Sequence, residues 1–183
     1  GRKTSVDSAT LMNKGLELIE ASVLFDLPPE KISIVIHPQS IVHCIVELTD
    51  GSISAHAAPT DMKLPIQYAL THPARLPVPG VPPLSALDLA DLTFLEPDER
   101  RFPCLRIAAE ALEAGGAAPA ILSAADEEAV AAFLRRRIDF ADIPGVVAHC
   151  LETCEGTAET IHEILEADER ARRAAAARIR KLS

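Results

Sequence analysis

Four polar residues near the start of the chain have types that could do chemistry together. They are Ser8, Asn13, Lys14 and Glu17 in the stretch SVDSATLMNKGLELIEAS (5–22). On a helix over 9–25, at about 100° per residue, Asn13, Lys14 and Glu17 share an arc of about 100°. Met12, Leu16, Ile19 and Val23 share a second arc, the expected core face. Asp7, Ser8 and Thr10 fall near the N-terminus of that helix, where a side-chain oxygen can cap unpaired backbone N–H groups. A phosphate calls for N–H or O–H donors and positive charge, and a helix N-terminus beside a hydroxyl, an amide and an ammonium offers all of these. The Glu17 carboxylate could pair with Lys14 or hold a hard divalent cation beside a phosphorylated substrate. The same residues also fit a purely structural role: Ser8 as a cap, and Lys14–Glu17 as an exposed i,i+3 pair contributing a few tenths of a kcal/mol, roughly.

A second polar cluster is IHPQS (36–40), where His37-Pro38 ends an alternating run and Gln39-Ser40 precede the next. Such turns often line active sites, and a tight turn held by the Gln and Ser side chains accounts for it equally well. His43 and His56 sit inside strand patterns and read as packed or surface histidines. Cys150 and Cys154 stand about one helical turn apart with His149 beside them, but no further pair of ligands stands at a zinc-site spacing. Cys150 and Cys154 read instead as ordinary buried thiols in a reducing cytoplasm.

The elements that must position these groups follow from composition and pattern. Hydrophobic residues make up 48% of the 183, much of it alanine, with 3% aromatic and no Trp. Helices packed through small side chains fit that composition better than an aromatic-rich sandwich. The net charge is −9 and no basic stripe alternates with aromatics, which argues against nucleic-acid binding. No apolar run has the length of a membrane span, so a soluble, cytoplasmic chain without membrane contact is expected. It opens Gly1-Arg2-Lys3 without Met and reads as the C-terminal part of a longer polypeptide.

The pattern predicts an α+β fold. After the first helix, Pro28-Pro29 break the chain, KISIVIH (31–37) and IVHCIVEL (41–48) alternate as strands, and Asp50-Gly51 signals a hairpin into SISAHA (52–57). The sheet section is therefore short and antiparallel or mixed. A helix is expected over 61–70, with Pro65 tolerated in its first turn. PARLPVPGVPP (73–83) is too rich in proline for a helix and reads as a semi-rigid connector. Helices over 104–116, 119–137, 142–154 (opened by Asp142) and 157–182 predict a four-helix bundle. Three regions result: 1–72 with the polar helix and strands, a connector over 73–102, and the bundle over 103–183.

The stretches GRKTSVDSATLMNKGLELIEA, IHPQSIVHCIVELTDGSISA and PTDMKLPIQYAL closely resemble the 1-deoxy-D-xylulose 5-phosphate reductoisomerase family. The likeness continues through LDLADLTFLEPDERRFPCLRIAAEALEAGG and AADEEAVAAFL, so it covers essentially the whole chain. It implies an NADPH-dependent oxidoreductase of non-mevalonate isoprenoid biosynthesis. Such an enzyme rearranges the carbon skeleton of 1-deoxy-D-xylulose 5-phosphate and reduces the resulting aldehyde to 2-C-methyl-D-erythritol 4-phosphate. By the resemblance, Glu17 is a ligand of a catalytic Mg²⁺ or Mn²⁺, Ser8 and Asn13 reach the substrate phosphate, and Lys14 lies near the phosphate and a hydroxyl. Glu17 and Lys14 are thus the expected catalytic residues. The resemblance also implies a homodimer formed largely through 31–57, in keeping with apolar strands that would otherwise leave an edge exposed.

The family's Gly-rich dinucleotide motif does not occur in this sequence, nor do its other metal ligands, an Asp and a Glu close together, or its Trp-bearing mobile loop. The chain alone is therefore expected neither to reduce the substrate nor to bind NADPH usefully. Asp126-Glu127 stands where the family pattern leads one to expect Asn-Glu. Two other functions stay open on the residues: a non-catalytic dimerisation or scaffold module, and a related metal-dependent enzyme acting on another sugar phosphate.

Overall fold

The computed structural model describes all 183 residues. Instead of one helix at the start there are two, α1 (Arg2–Thr10) and α2 (Met12–Phe25). Leu11 breaks them apart in the left-handed region, at φ 61°. Thr10 stabilises the break: its hydroxyl donates to the Asp7 carbonyl at 3.2 Å and accepts from the Met12 N–H at 3.3 Å. The expectation that Ser8 caps a helix starting at 9 is therefore corrected. Ser8 lies inside the last turn of α1, and its carbonyl accepts the Leu11 N–H. α2 ends where Asp26 turns left-handed and Pro28-Pro29 forbid continuation.

The buried face of α2 also differs from the expected stripe. Met12, Gly15 and Leu18 are buried, Leu16 and Ile19 are partly so, and Val23 is 72% exposed. A Cβ on Gly15 would come within 2.4 Å of the Ala108 Cβ, so α2 crosses α4 (Pro103–Ala114) at backbone-to-methyl contact. That crossing rotates the inward arc toward position 15 and leaves the C-terminal turn outside the core.

The chain divides into two compact units, residues 1–34 with 97–183, and residues 35–96. This differs from the division at 72 and 102 drawn from composition. Proline content marks where helix is forbidden, whereas compactness follows the packing of α1 and α2 against the later helices.

In the first unit, α4 is followed by α5 (Ala118–Leu134), α6 (Ile143–Thr153) and α7 (Ile161–Leu182). The four expected bundle helices are all present. Their interfaces are built largely from small side chains: Ala124, Ala125 and Ala129 on α5 and Ala167, Ala171 and Ala175 on α7 are fully buried. Spacing by four places the α7 alanines on one stripe. Gly115 and Gly116, both at positive φ, end α4. α7 starts four residues later than expected, at a capping box in which Thr160 accepts from the Glu163 N–H. Asp142 stands at the N-cap of α6 as expected, but its side chain makes no cap bond there; its carboxylate accepts the Asp139 N–H and closes a 3₁₀ turn ahead of the helix.

The second unit holds a two-stranded antiparallel sheet of β1 (Val42–Glu47) and β2 (Ile53–Ala57), pairing Glu47 with Ile53 and Val42 with Ala57. Gly51 takes φ 84° at the expected hairpin turn, and the Asp50 carboxylate accepts from the Ser52 N–H and hydroxyl. The strand expected over 31–37 is absent. Residues 29–31 form a 3₁₀ turn, and in the second unit Ile36 alone makes a β-bridge, to Leu95. Alternation of side chains does not make a strand when no neighbour offers a ladder to join. α3 (Lys63–Thr71) follows, with Pro65 in its first turn, and 73–83 carries no regular element. The α+β class expected from the pattern is the class observed.

Candidate functional site

Asn13, Lys14 and Glu17 meet on the exposed side of α2. The Asn13 amide donates to Glu17 Oε1 at 2.5 Å and the Lys14 ammonium to Oε2 at 2.6 Å. Both carboxylate oxygens are thus held, one by a neutral donor and one by a cation. Spacings of three and four residues bring the three groups together on one face. About half of the Lys14 and Glu17 side chains remains accessible, at 47% and 46%. Such a fork presents two donors and a carboxylate to water, the set that an anion beside a hard cation would engage. Ser8 lies on α1, three residues before the Leu11 break, exposed and with its hydroxyl unengaged by any protein group.

The IHPQS cluster belongs to the second unit and serves its packing. His37 Nδ1–H points to the Thr93 carbonyl at 2.8 Å, and its ring stacks on Phe94 at 4.7 Å. The Gln39 amide donates to the Asp91 carbonyl and to Thr93 Oγ1, and its carbonyl accepts the Thr93 N–H. Ser40 takes φ 52° and its hydroxyl returns to the His37 carbonyl. These groups hold 36–40 against 91–95. His43 Nε2–H likewise engages the Ala58 carbonyl, and no metal-binding group of three His, Cys, Asp or Glu occurs in the chain.

Sequence reasoning missed a buried charged cluster. Lys3 donates to Asp7 Oδ2 at 2.5 Å and to Asp126 Oδ2 at 2.7 Å, joining α1 to α5. Asp7 is 4% exposed and Asp126 not at all. Burial, joined by the charge of Asp7 and opposed by Lys3, pushes the Asp126 carboxyl up to about 6. Burial alone would pull Lys3 down, but its hydrogen bonds to Asp126 and Asp7 outweigh it and hold the ammonium above its ordinary range. Cys104 is pushed up to about 12, by burial first and then by Asp126. The i,i+4 spacing of Lys3 and Asp7 was available in the sequence; so was an Asp set among the alanines of AADEEAVAA.

A polar fork on the exposed side of one helix beside an alanine-rich bundle defines an α+β domain, and comparison with known proteins makes it specific. The family description "DXP reductoisomerase C-terminal domain" matches residues 57–174, and "1-deoxy-D-xylulose 5-phosphate reductoisomerase C-terminal domain" matches 1–25. A 1-deoxy-D-xylulose 5-phosphate reductoisomerase of Aromatoleum aromaticum is 52% identical over 180 residues, 98% of this chain and 44% of the relative. The enzyme of Pseudomonas aeruginosa strain UCBPP-PA14 is 53% identical over 173 residues, 94% of this chain and 43% of its own length. Among solved structures, the Zymomonas mobilis reductoisomerase in complex with NADPH superposes with a TM-score of 0.91 at 44% identity, over 97% of this chain and 47% of that one. A DOX-P reductoisomerase in complex with NADPH, fosmidomycin and magnesium gives 0.93 at 43% identity, over 100% and 47%. The chain belongs to the 1-deoxy-D-xylulose 5-phosphate reductoisomerase family, and it spans a little under half the length of the relatives it matches.

Proposed function

We propose that this chain forms the substrate-holding half of a reductoisomerase that converts 1-deoxy-D-xylulose 5-phosphate to 2-C-methyl-D-erythritol 4-phosphate with NADPH. The observation that carries the proposal is the fork on α2, where Asn13 and Lys14 converge on the two oxygens of Glu17. It lies within residues 1–25, which the family description matches.

The residue types suit the task. The Asn13 amide and the Ser8 hydroxyl donate to the substrate phosphate, and the Lys14 ammonium balances its charge and reaches a hydroxyl. Anchoring the phosphate, remote from the bonds that rearrange, converts binding energy into orientation of the reacting carbons. Glu17 is accessible and all-oxygen, so it fits Mg²⁺ or Mn²⁺ as one ligand among several, the others coming from outside these residues. When bound, such an ion supplies Lewis acidity to carbonyl and hydroxyl oxygens of the substrate. Glu17 would hold the ion through an oxygen now engaged by Asn13 or Lys14, and the released donor would then be available to the substrate.

No Gly-rich phosphate turn occurs among the 183 residues, so no residue here is assigned to NADPH, and the chain by itself is inactive in this reading. The exposed Ile45, Val46 and Ile53 of the hairpin suit a homodimer interface. Four free cysteines suit a reducing cytoplasm. No helix is long and apolar enough to cross a membrane.

The test is NADPH oxidation with 1-deoxy-D-xylulose 5-phosphate and Mn²⁺, by a polypeptide of the relatives' full length carrying this chain, beside Glu17→Gln. A loss of about a hundredfold or more, the scale for a metal ligand, supports the assignment. An undiminished variant reduces Glu17 to a surface charge, and an inactive parent removes the substrate.

A further inference from the structure

α1 is held in place by an unusual set of contacts. Nine residues are too few for a helix to persist alone, and of its three buried side chains, Val6, Asp7 and Thr10, only Val6 is apolar. Its attachment to α5 centres on the cluster in which Lys3 bridges Asp7 and Asp126. The charge count of that cluster does not balance: two carboxylates share one ammonium. The second oxygen of each, Asp7 Oδ1 and Asp126 Oδ1, is buried without any donor. Each orphaned acceptor forfeits its hydration with nothing in return. Both carboxyls accept from the one Lys3 ammonium, at 2.5 and 2.7 Å, which sets them side by side. A single proton would turn one of them into a donor to the other, satisfy both orphans and bring the cluster to neutrality with Lys3.

We propose that Asp7 and Asp126 share a proton and, clamped by Lys3, act as a positioning pair that fixes α1, and with it Ser8, against α5. The groups facing the pair are Lys3 from α1 itself, and Cys104 from α4, beside which lies Thr10 of α1. Cys104 stays a neutral thiol, so Lys3 is the only cation available to the pair. The upward displacement of Asp126, caused first by burial, agrees with proton retention. Loss of the proton leaves two adjacent buried anions on one ammonium, and the clamp slackens as pH rises. The consequence for Ser8 rests on its reading as a phosphate ligand, whereas the clamp itself does not.

The experiment follows the aspartate carboxyl carbons by ¹³C NMR, and the α1 amides by hydrogen exchange, in the 183-residue chain and its Asp126→Asn and Lys3→Met variants. The expected result is one step near pH 6 at the Asp126 carboxyl carbon that also perturbs the Asp7 carbon, absent in Asp126→Asn and raised by about one unit or more in Lys3→Met. Protection of α1, corrected for intrinsic rates, should fall about tenfold between pH 5 and 8. It should stay level in Asp126→Asn, whose amide donates permanently. An Asp126 carboxyl that titrates below about pH 4.5 without perturbing Asp7, or α1 protection that does not depend on pH, would overturn the proposal. If Lys3→Met does not fold, the Asp126→Asn comparison decides alone. Ser8→Ala in a full-length polypeptide, raising KM about tenfold with kcat kept, tests the Ser8 reading independently of the clamp.

Discussion

The first seventeen residues carry two clusters of the same chemical make-up and opposite character. Lys14 and Glu17, with Asn13, sit on the exposed side of α2, while the carboxylates of Asp7 and Asp126 are buried between α1 and α5 under a half-buried Lys3. In water, the exposed pair interacts weakly, and its partners are readily exchanged for water. Inside the protein, the same types of charge are stabilised by one another alone, and removing one leaves the rest uncompensated. Burial, more than residue identity, separates a site that can bind from a joint that holds.

The contrast can be broken most decisively at Lys3. Lys3→Met leaves the buried carboxyls of Asp7 and Asp126 without their cation and should lower the unfolding free energy by about 3–5 kcal/mol, read by urea titration. Next comes pH. The folded-state value of about 6 lies above an ordinary 3.8, so Asp126 binds its proton more tightly when folded. Its contribution is full below about pH 4 and is lost as pH rises through 6, a fall of up to about 3 kcal/mol seen in melts across that range. Gly15→Ala is intermediate. The added methyl would collide with Ala108, and about 1–3 kcal/mol should be lost, with turnover of a full-length enzyme falling as well. Smallest is the exposed cluster's share of stability. Glu17→Gln or Lys14→Met should change the unfolding free energy by less than about 0.5 kcal/mol, even where Glu17→Gln abolishes turnover. A loss of several kcal/mol from Glu17→Gln would erase the distinction between the two clusters.

Much of this was legible in the residues. Asp50-Gly51 announced the hairpin, the glycine pair at 115–116 and the capping Thr160 bounded helices, and spacing alone put Asn13, Lys14 and Glu17 on one face. The break at Leu11 was not legible, because neither Gly nor Pro marks it. A leucine occupies the left-handed region there only because Thr10 engages the backbone on both sides of it. KISIVIH has the alternation of a strand, but pairing depends on a neighbour that local pattern does not specify. The depth of Asp126 was hidden for a related reason: an acidic residue followed by Glu127 and Glu128 looks solvated until α1 is laid over it. Those neighbours do face outward, where Arg172 of α7 gathers them with Asp168.

The Gly15–Ala108 crossing has a mechanical meaning. Two helices that touch where even a methyl group does not fit have no clearance to roll or slide at that point. The crossing lies between Asn13 and Glu17, so the helix that presents them acts as a fixed mount. In the proposed function, any response of the fork to an arriving ligand is confined to the torsions of three side chains, over a distance that those torsions can span.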